Sequence, residues 1–223
     1  MLALATSDIH SPIYLDLFIK SYMTIPKNDI NLVLLAGDLT DKGKYWNFDP
    51  IYGLLKKYKV VAVFGNEDFH DVRNKYIQRY KEIIWLQDEL YEDVINGVKI
   101  SIVGSDGVLE RPTKWQIVNG FDENYYREKL RKIEELLCKS KGDIKILLTH
   151  YSTTFETLVG ENKRIYPELG YKLIESVSCK PDISIHGHAH YSKRTYYKIG
   201  KTRVYNVALP ANQRIVMVNL MHS

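Results

Sequence analysis

Acidic, amide and imidazole side chains follow short apolar runs at several places along this 223-residue chain. The run at residues 32–36 is unbroken, as expected for a strand buried on both faces of a sheet, and it ends at Gly37-Asp38. Ligands bind at the carboxyl ends of strands in open α/β sheets, so Asp38 stands where chemistry is expected. Taken alone, a Gly-Asp pair is also typical of a simple turn.

The same arrangement recurs on other apolar runs. The runs at residues 2–6, 60–64, 144–148 and 183–185 are followed by Asp8 and His10, by Asn66 and Glu67, by His150, and by His188 and His190. Asp, Asn and His are ligands for hard or borderline divalent metals. A carboxylate has two oxygens and can bridge two cations, whereas an imidazole normally binds one. Asp38 is therefore the predicted shared ligand.

Each of these side chains also has an ordinary structural interpretation. Asp8 and His10 alone would be a loop after a strand, and His150 alone would be a hydrogen-bonded core histidine. His188 and His190 are harder to explain in this way, because alternating residues of an extended segment point to one face. The whole set, rather than any single residue, favours a metal site.

Composition limits the classes of function. The chain has 31 basic and 27 acidic residues, and its net charge of +4 permits an anionic substrate without requiring nucleic acid. No apolar run is long enough to span a bilayer, and residues 1–5 do not have the pattern of a signal peptide, so a cytoplasmic protein without membrane association is predicted. Cys138 and Cys179 fit no metal-ligand spacing, and a disulfide between them is left open.

Helical and strand-like patterns alternate through the first part of the chain. Ser11 and Pro12 are the predicted start of the first helix. Asn96-Gly97 predicts a hairpin between strands at residues 90–95 and 98–103. The other predicted elements are helices at residues 13–25, 49–58, 71–85, 122–140 and 169–178, a binding loop at 105–121, and antiparallel strands at 194–199, 202–208 and 214–220. No linker or repeat is visible, so residues 1–223 are predicted to form one domain.

With these segments in order, the chain resembles the calcineurin-like metallophosphoesterases. The family pattern is D-x-H, G-D, G-N-H-[DE], a lone H, and G-H-x-H. The matching segments here are Asp8-Ile9-His10, Gly37-Asp38, Gly65-Asn66-Glu67-Asp68, His150 and Gly187-His188-Ala189-His190. His186 precedes the last motif, so it is interpreted as a neighbour of the ligands rather than as one of them.

The resemblance implies an α/β fold of two packed mixed β-sheets flanked by helices, and a site for two divalent cations. The first cation would be held by Asp8, His10, Asp38 and His190. The second would be held by Asp38, Asn66, His150 and His188. Catalytic roles are implied for Asp38, Asn66, Glu67 and His150. These donors suit Mn, Fe, Zn or Ni, of which Mn is favoured.

Two such cations can clamp a phosphate group and generate a hydroxide near neutral pH, so no serine or cysteine nucleophile is needed. The sequence therefore predicts a metal-dependent phosphoesterase acting on a small phosphate ester, with diesters favoured over monoesters. Nucleic acid is an allowed but not favoured substrate, because the chain has no dense basic patch. The sequence leaves the oligomeric state open.

Glu67 departs from the family pattern, which usually has histidine there to protonate the leaving group or stabilise the transition state. A neutral Glu67 could be the acid if burial raised its pKa, but bound cations favour the carboxylate. His70 could substitute for the missing histidine, or could be an ordinary surface residue. The alternative function is a catalytically weak or inactive scaffold of this fold that binds a protein partner.

Overall fold

The apolar runs that precede the candidate ligands form strands, as the sequence predicts. The computed structural model describes residues 1–26 and 30–221. Its strands are β1 (Leu2–Thr6), β2 (Ile30–Ala36), β3 (Val60–Val63), β4 (Ile83–Trp85), β5 (Glu89–Ile95), β6 (Val98–Gly104), β7 (Ile144–Leu148), β8 (Ile183–His186), β9 (Tyr196–Ile199), β10 (Thr202–Asn206) and β11 (Val216–Asn219). Its helices are α1 (Leu15–Thr24), α2 (Asp49–Leu55), α3 (His70–Arg79), α4 (Lys114–Val118), α5 (Glu123–Lys139), α6 (Tyr166–Leu169), α7 (Leu173–Ser176) and α8 (Leu209–Asn212).

The strands form two mixed sheets. The first has the order β11-β1-β2-β3-β4, with β1 to β4 parallel and β11 antiparallel at the edge. The second has the order β5-β6-β7-β8-β10-β9, with β6, β7, β8 and β10 parallel and an antiparallel strand at each edge. Together with the flanking helices, these sheets confirm the predicted fold class.

Strand β2 shows why an unbroken apolar run is needed at the centre. Leu32 and Leu34 point into the apolar layer between the sheets, where residues such as Ile146 of β7 meet them. Val33 and Leu35 point the other way, into a second layer against α1, α2 and α3. A third apolar layer lies between the second sheet and α5. Both faces of β2 are therefore buried, and its carboxyl end is fixed in the middle of the molecule.

The local predictions with the clearest turn and cap signals are confirmed. Strands β5 and β6 form a hairpin around Asn96-Gly97, and the carboxylate of Asp122 accepts the backbone N–H of Tyr125 at the start of α5. The predicted helix start at Ser11-Pro12 is wrong. Helix α1 begins at Leu15, because the Ser11 hydroxyl donates to the carbonyl of Asn47 (2.7 Å) and does not cap the helix.

The predicted helix at residues 71–85 is too long. Helix α3 ends at Arg79, and residues 83–85 form strand β4, in which Ile83 pairs with Val60. Short apolar runs fit either structure, so periodicity could not separate the strand from the helix. The predicted helix at residues 169–178 is also too long, because α7 covers only Leu173–Ser176 of it and α6 ends at Leu169, where the predicted helix begins.

The last three predicted strands do not form one antiparallel unit. Strands β9 and β10 are antiparallel as predicted, but β10 pairs parallel with β8 on its other side. Strand β11 crosses to the first sheet, where it pairs with β1. Helix α8 lies between β10 and β11 in the chain. The alternation of apolar residues shows that a strand forms, but it does not show which sheet the strand joins.

Among the described residues, no helix is both long and apolar enough to cross a lipid bilayer.

A disulfide between Cys138 and Cys179 joins the end of α5 to the segment before β8. The sequence left this pairing open. The bond closes a loop with a sequence separation of 41 residues. Such a link lowers the entropy of the unfolded chain and so stabilises the fold, by about 4 kcal/mol for a loop of this length.

Replacing both cysteines (Cys138→Ser with Cys179→Ser) should lower the free energy of unfolding by about 4 kcal/mol without abolishing folding. The measurement is urea unfolding of both proteins with and without a reductant. Reductant should destabilise only the protein with both cysteines. Equal midpoints for all four conditions would show that the pair contributes nothing to stability.

Candidate metal centre

The carboxyl ends of the two sheets meet and bring the predicted ligands together. Asp8, Asp38 and Asn66 follow strands of the first sheet, whereas His150 and His188 follow strands of the second. The ends are joined by hydrogen bonds, because Nδ1 of His150 donates to the carbonyl of Ala36 at the end of β2 (2.9 Å). The backbone N–H of His188 donates to the Asp8 carboxylate (2.9 Å). The site therefore lies between the sheets.

Four candidate ligands have left-handed backbone conformations. Their φ angles are +54° at Asp8, +40° at His10, +50° at Asp38 and +68° at His188. A non-glycine residue in this region costs about 1 kcal/mol or more, and such residues cluster at functional sites. Backbone hydrogen bonds hold the turns, from Asp8 N to Gly37 O and from His10 N to Asp38 O (3.0 Å each). These backbone conformations direct the four side chains into one shared space.

Two glycines permit the close approach of the loops. A Cβ atom on Gly65 would overlap the Asp38 carboxylate, and one on Gly187 would overlap Ser7 and the Asp8 carboxylate. Both contacts involve buried groups that cannot move aside. The glycines of the G-N-E-D and G-H-A-H segments are thus required by packing against the carboxylates.

The first group of candidate ligands surrounds Asp8. Nε2 of His190 lies 2.9 Å from Asp8 Oδ1, and Nε2 of His10 lies 3.9 Å from Asp8 Oδ1 and 3.7 Å from Asp38 Oδ2. Nε2 of His10 is buried, and it has no hydrogen-bond partner within the described residues. A cation between these carboxylates would satisfy that nitrogen, so the donor set fits a metal.

The second group surrounds Nε2 of His150. This atom lies 2.9 Å from Asn66 Oδ1, 3.1 Å from Nδ1 of His188 and 3.5 Å from Asp38 Oδ2. Because Nδ1 of His150 donates to the Ala36 carbonyl, Nε2 presents its lone pair to the site. Three nitrogen or amide donors and a carboxylate oxygen thus converge on one space.

The two groups share carboxylates. Asp8, Asp38, His150 and His188 bring ligand atoms within 4.8 Å of one another, and so do Asp8, His10 and His190. Asp8 therefore belongs to both groups in this geometry. Oδ2 of Asp38, the predicted bridge, lies between His10 (3.7 Å) and His150 (3.5 Å). Either carboxylate stands where it can face two cations.

Burial and charge set the protonation of these groups. Burial, together with the nearby charges of Asp8 and Asp68, raises the pKa of Asp38 well above its usual value. Burial is the largest single influence and would raise the pKa of Asp8, but the hydrogen bonds from His190 and Ser7 and the nearby charges of His150 and His190 together outweigh it and lower that pKa. Burial lowers the pKa of both His150 and His188. Neutral imidazoles are the form that binds metals.

Asp68 has a role that the sequence analysis did not assign. Its Oδ2 accepts the backbone N–H groups of Asp38 (2.8 Å) and Gly65 (2.9 Å), and its Oδ1 accepts the Tyr76 hydroxyl (3.0 Å). Nε of Arg73 donates to the Asp68 carbonyl (3.0 Å). Burial raises the pKa of Asp68 to about 6. The sequence signal that could have indicated this role is the position of Asp68 in the G-N-E-D segment, directly after Glu67.

The other candidates lie beside the two groups. Glu67 is half-buried, its backbone N–H donates to Asp38 Oδ1 (2.8 Å), and its carboxylate accepts the backbone N–H of Lys42 (3.1 Å). His70 begins α3 and stacks on Phe121, with ring centroids 5.0 Å apart. His186 is buried away from both groups. Its Nδ1 donates to the carbonyl of Gly187, and its Nε2 accepts a hydroxyl at 2.7 Å.

Comparisons with known proteins agree with this architecture. The family model of the calcineurin-like phosphoesterases matches residues 1–192. Comparison of the sequence with curated proteins gives no significant match.

Several solved structures have a similar fold. The phosphopantetheinyl hydrolase of Mycobacterium tuberculosis aligns over 96% of this chain and 95% of its own, with a TM-score of 0.65 and 13% identity. A hypothetical protein from Thermus thermophilus aligns over 92% of this chain and 75% of its own (TM-score 0.60, 15% identity). The NAD nucleotidase of Haemophilus influenzae aligns over 95% of this chain and 51% of its own, with a TM-score of 0.56 and 17% identity. At these identities the likeness is one of fold.

Asp68→Ala should weaken Mn²⁺ binding about 10- to 100-fold, because the buried N–H groups of Asp38 and Gly65 lose their acceptor and the Asp38 turn shifts. Asp68→Asn keeps one acceptor oxygen and should weaken binding less. Calorimetric titration measures the affinity, with Asp16→Ala on the exposed face of α1 as the control. An unchanged affinity in a folded Asp68→Ala protein would contradict this role.

Proposed function

Because this chain belongs to the calcineurin-like phosphoesterase family, we propose that it hydrolyses phosphate diesters at a site for two divalent cations. The observation that supports the proposal best is the convergence of carboxylate, amide and imidazole groups from both sheets on one buried space. The unpartnered Nε2 of His10 points to a cation there. The family makes the protein a metal-dependent phosphoesterase, and the preference for diesters and the number of cations are our proposal.

The residues divide between the two cations as the family pattern implies. Asp8, His10, Asp38 and His190 would hold one, and Asp38, Asn66, His150 and His188 would hold the other. When bound, such a pair neutralises phosphate charge and activates a water molecule as the nucleophile. The mixed oxygen and nitrogen donors suit Mn, Fe, Zn or Ni, and we propose Mn²⁺.

Hydrogen bonds of the protein fix the donors before any cation binds. Asp38 uses Oδ1 to accept the Glu67 N–H, which leaves Oδ2 for the site. His150 is oriented by the Ala36 carbonyl, and Asn66 Oδ1 faces the same nitrogen of His150. Because these groups are already in place, little reorganisation is needed when a phosphate ester enters.

Glu67 is the basis for preferring diesters. Its carboxylate follows Asn66 directly, where the family usually has histidine, so the site has an extra acidic group. A monoester carries about two negative charges at neutral pH and a diester carries one, so an anionic neighbour repels the monoester more. The Glu67 carboxylate also accepts the backbone N–H of Lys42, so it is directed away from a proton-transfer role.

We propose a small phosphate ester as substrate and the cytoplasm as the compartment. The Cys138–Cys179 disulfide bears on the compartment, because such bonds persist mainly in oxidising compartments and in the cytoplasm of hyperthermophiles. The redox state of this pair, measured by thiol alkylation in freshly lysed native cells, decides whether a cytoplasmic location is compatible with the bond.

Mn²⁺-supplemented protein should hydrolyse bis-p-nitrophenyl phosphate, and Asp38→Ala should lose at least about 1,000-fold in kcat/KM, because the shared ligand is removed. Release of p-nitrophenolate measures the rate, and chelation followed by metal replacement tests dependence on the cation. Asp16→Ala should match the unaltered protein.

The assay also separates the enzyme from the scaffold alternative. If the protein binds Mn²⁺ yet turns over diesters no faster than Asp38→Ala with any of the four metals, the diesterase proposal is wrong. Turnover of monoesters instead would correct the substrate class. Absence of both activities, together with retention of one specific protein on an affinity column, would favour the scaffold.

Glu67→Gln should leave kcat for ethyl phenyl phosphate nearly unchanged, because the carboxylate already engages Lys42. Glu67→His should raise that kcat by about 10- to 100-fold, since it restores a side chain able to donate a proton to a poor leaving group. Ethyl p-nitrophenyl phosphate, which has a good leaving group, is the matched control and should respond little. A large loss of rate with Glu67→Gln on the poor leaving group alone would identify Glu67 as the acid.

A further inference from the structure

A cavity of about 500 Å³ opens beside the candidate metal centre. Asn66 and Tyr151 form part of its wall, and Tyr151 also contacts His188, with ring centroids 5.0 Å apart. A smaller space of about 280 Å³ contains Glu67 and His188 and shares the Asn66 and Tyr151 walls. The cavity volume lies in the range that holds a drug-sized ligand. A substrate with its phosphate at the cations would extend into this cavity.

Aromatic rings line most of the cavity. His70 and Phe121 stack with their ring planes 20° apart, and the Trp115 ring lies 6.5 Å from Phe121. Phe69 and Tyr125 complete this aromatic wall. Flat faces of this kind bind planar rings by stacking, and every nucleobase offers such a face.

Trp115 is exposed by 59%, although it is a large apolar side chain. Burying such a ring against a ligand is favourable, because the apolar area leaves water. Trp115 lines both the cavity and the smaller space next to His188. It therefore stands at the boundary between the ring-binding space and the candidate metal centre.

Helix α4 is tied to the metal centre rather than free in the loop. Thr113 and Gln116 form a reciprocal capping box at its first turn. Nε2 of Gln116 donates to the Tyr151 hydroxyl (3.0 Å), and the Tyr151 ring packs against His150 and His188. This chain of contacts fixes the Trp115 face at a set place relative to the phosphate position.

Polar groups also line the cavity. Arg73 donates to Asp106 (3.3 Å), and the Asp106 carboxylate also accepts the buried ammonium of Lys129 (2.5 Å). The Asn119 amide donates to the Trp115 carbonyl at the end of α4, and the Asp71 side chain is exposed nearby. A heteroaromatic base with N–H donors and ring acceptors can add hydrogen bonds to the exposed Asp71 carboxylate and the Asn119 amide, whereas an acyl chain can make none.

From the aromatic faces, the polar groups and their place beside the metal centre, we propose that the substrate is a nucleoside phosphate ester whose base stacks on Trp115 in this cavity. The proposal rests on the phosphodiesterase function above and narrows its substrate class. A simple aryl phosphate would leave most of the cavity empty, because its single ring is bonded directly to the phosphate oxygen.

The test compares two diesters that release the same p-nitrophenolate, adenosine 5′-(p-nitrophenyl) phosphate and ethyl p-nitrophenyl phosphate. Both have an alkyl oxygen on the non-reacting side, so only the nucleoside differs. Stacking of one base is worth about 5- to 150-fold in affinity, so kcat/KM should be at least about tenfold higher for the adenosine ester.

Trp115→Ala should lower the ratio of kcat/KM for the adenosine ester to kcat/KM for the ethyl ester about tenfold, whereas Trp115→Phe should retain most of that ratio. The matched control is Ile117→Ala, which truncates another exposed apolar side chain of α4 that does not line the cavity. A general disturbance of α4 would instead lower the rate for both esters with either variant.

Equal kcat/KM for the two esters in the unaltered protein would overturn the nucleoside proposal while leaving the diesterase function intact. Turnover of neither ester would count against the diesterase function alone. In that case, quenching of tryptophan fluorescence measures the binding of adenosine 5′-monophosphate to the Mn²⁺-loaded protein. Saturable quenching that Trp115→Phe removes would support the base site, and no binding by equilibrium dialysis would overturn it.

Discussion

The arrangement of the site depends on the hydrogen bonds that the buried carboxylate of Asp68 accepts. It accepts the backbone N–H groups of Asp38 and Gly65, and so it fixes the ends of β2 and β3 against each other. Without an acceptor, both N–H groups would be buried and unpaired, at a cost of about 1–3 kcal/mol each. These two hydrogen bonds keep the Asp38 turn close to Gly65, and the Asp38 carboxylate in turn accepts the Glu67 N–H.

The centre is assembled from two sheets that pack on an apolar interior. Hydrogen bonds from His150 to the Ala36 carbonyl and from His188 to Asp8 are among the polar links between the sheet ends. Such a layout gathers acidic groups where burial disfavours charge, which raises the pKa of Asp38. Bound cations would relieve this cost, and the negative charge of a phosphate ester would balance theirs.

Much of this arrangement could be predicted from the sequence, because buried strands followed by Asp, Asn or His carry both a structural and a chemical signal. The apolar runs before Asp38 and His150 predicted their strands. Other features depend on tertiary contacts that no local pattern contains. The crossing of β11 to the first sheet, the assignment of residues 83–85 to a strand and the support given by Asp68 are of this kind. Helix α4 was hidden in a predicted loop, because five residues give too little periodicity.

The left-handed backbone of Asp8, His10, Asp38 and His188 ties the chemistry of these positions to their conformation. Glycine, which has no Cβ atom, adopts this conformation at lower cost than aspartate or histidine does. A descendant of this protein released from binding cations would therefore gain stability by acquiring glycine at these sites before its core changed. Loss of function would then change the residues of these turns first. The residue types at the left-handed positions would distinguish a scaffold of this fold from an enzyme.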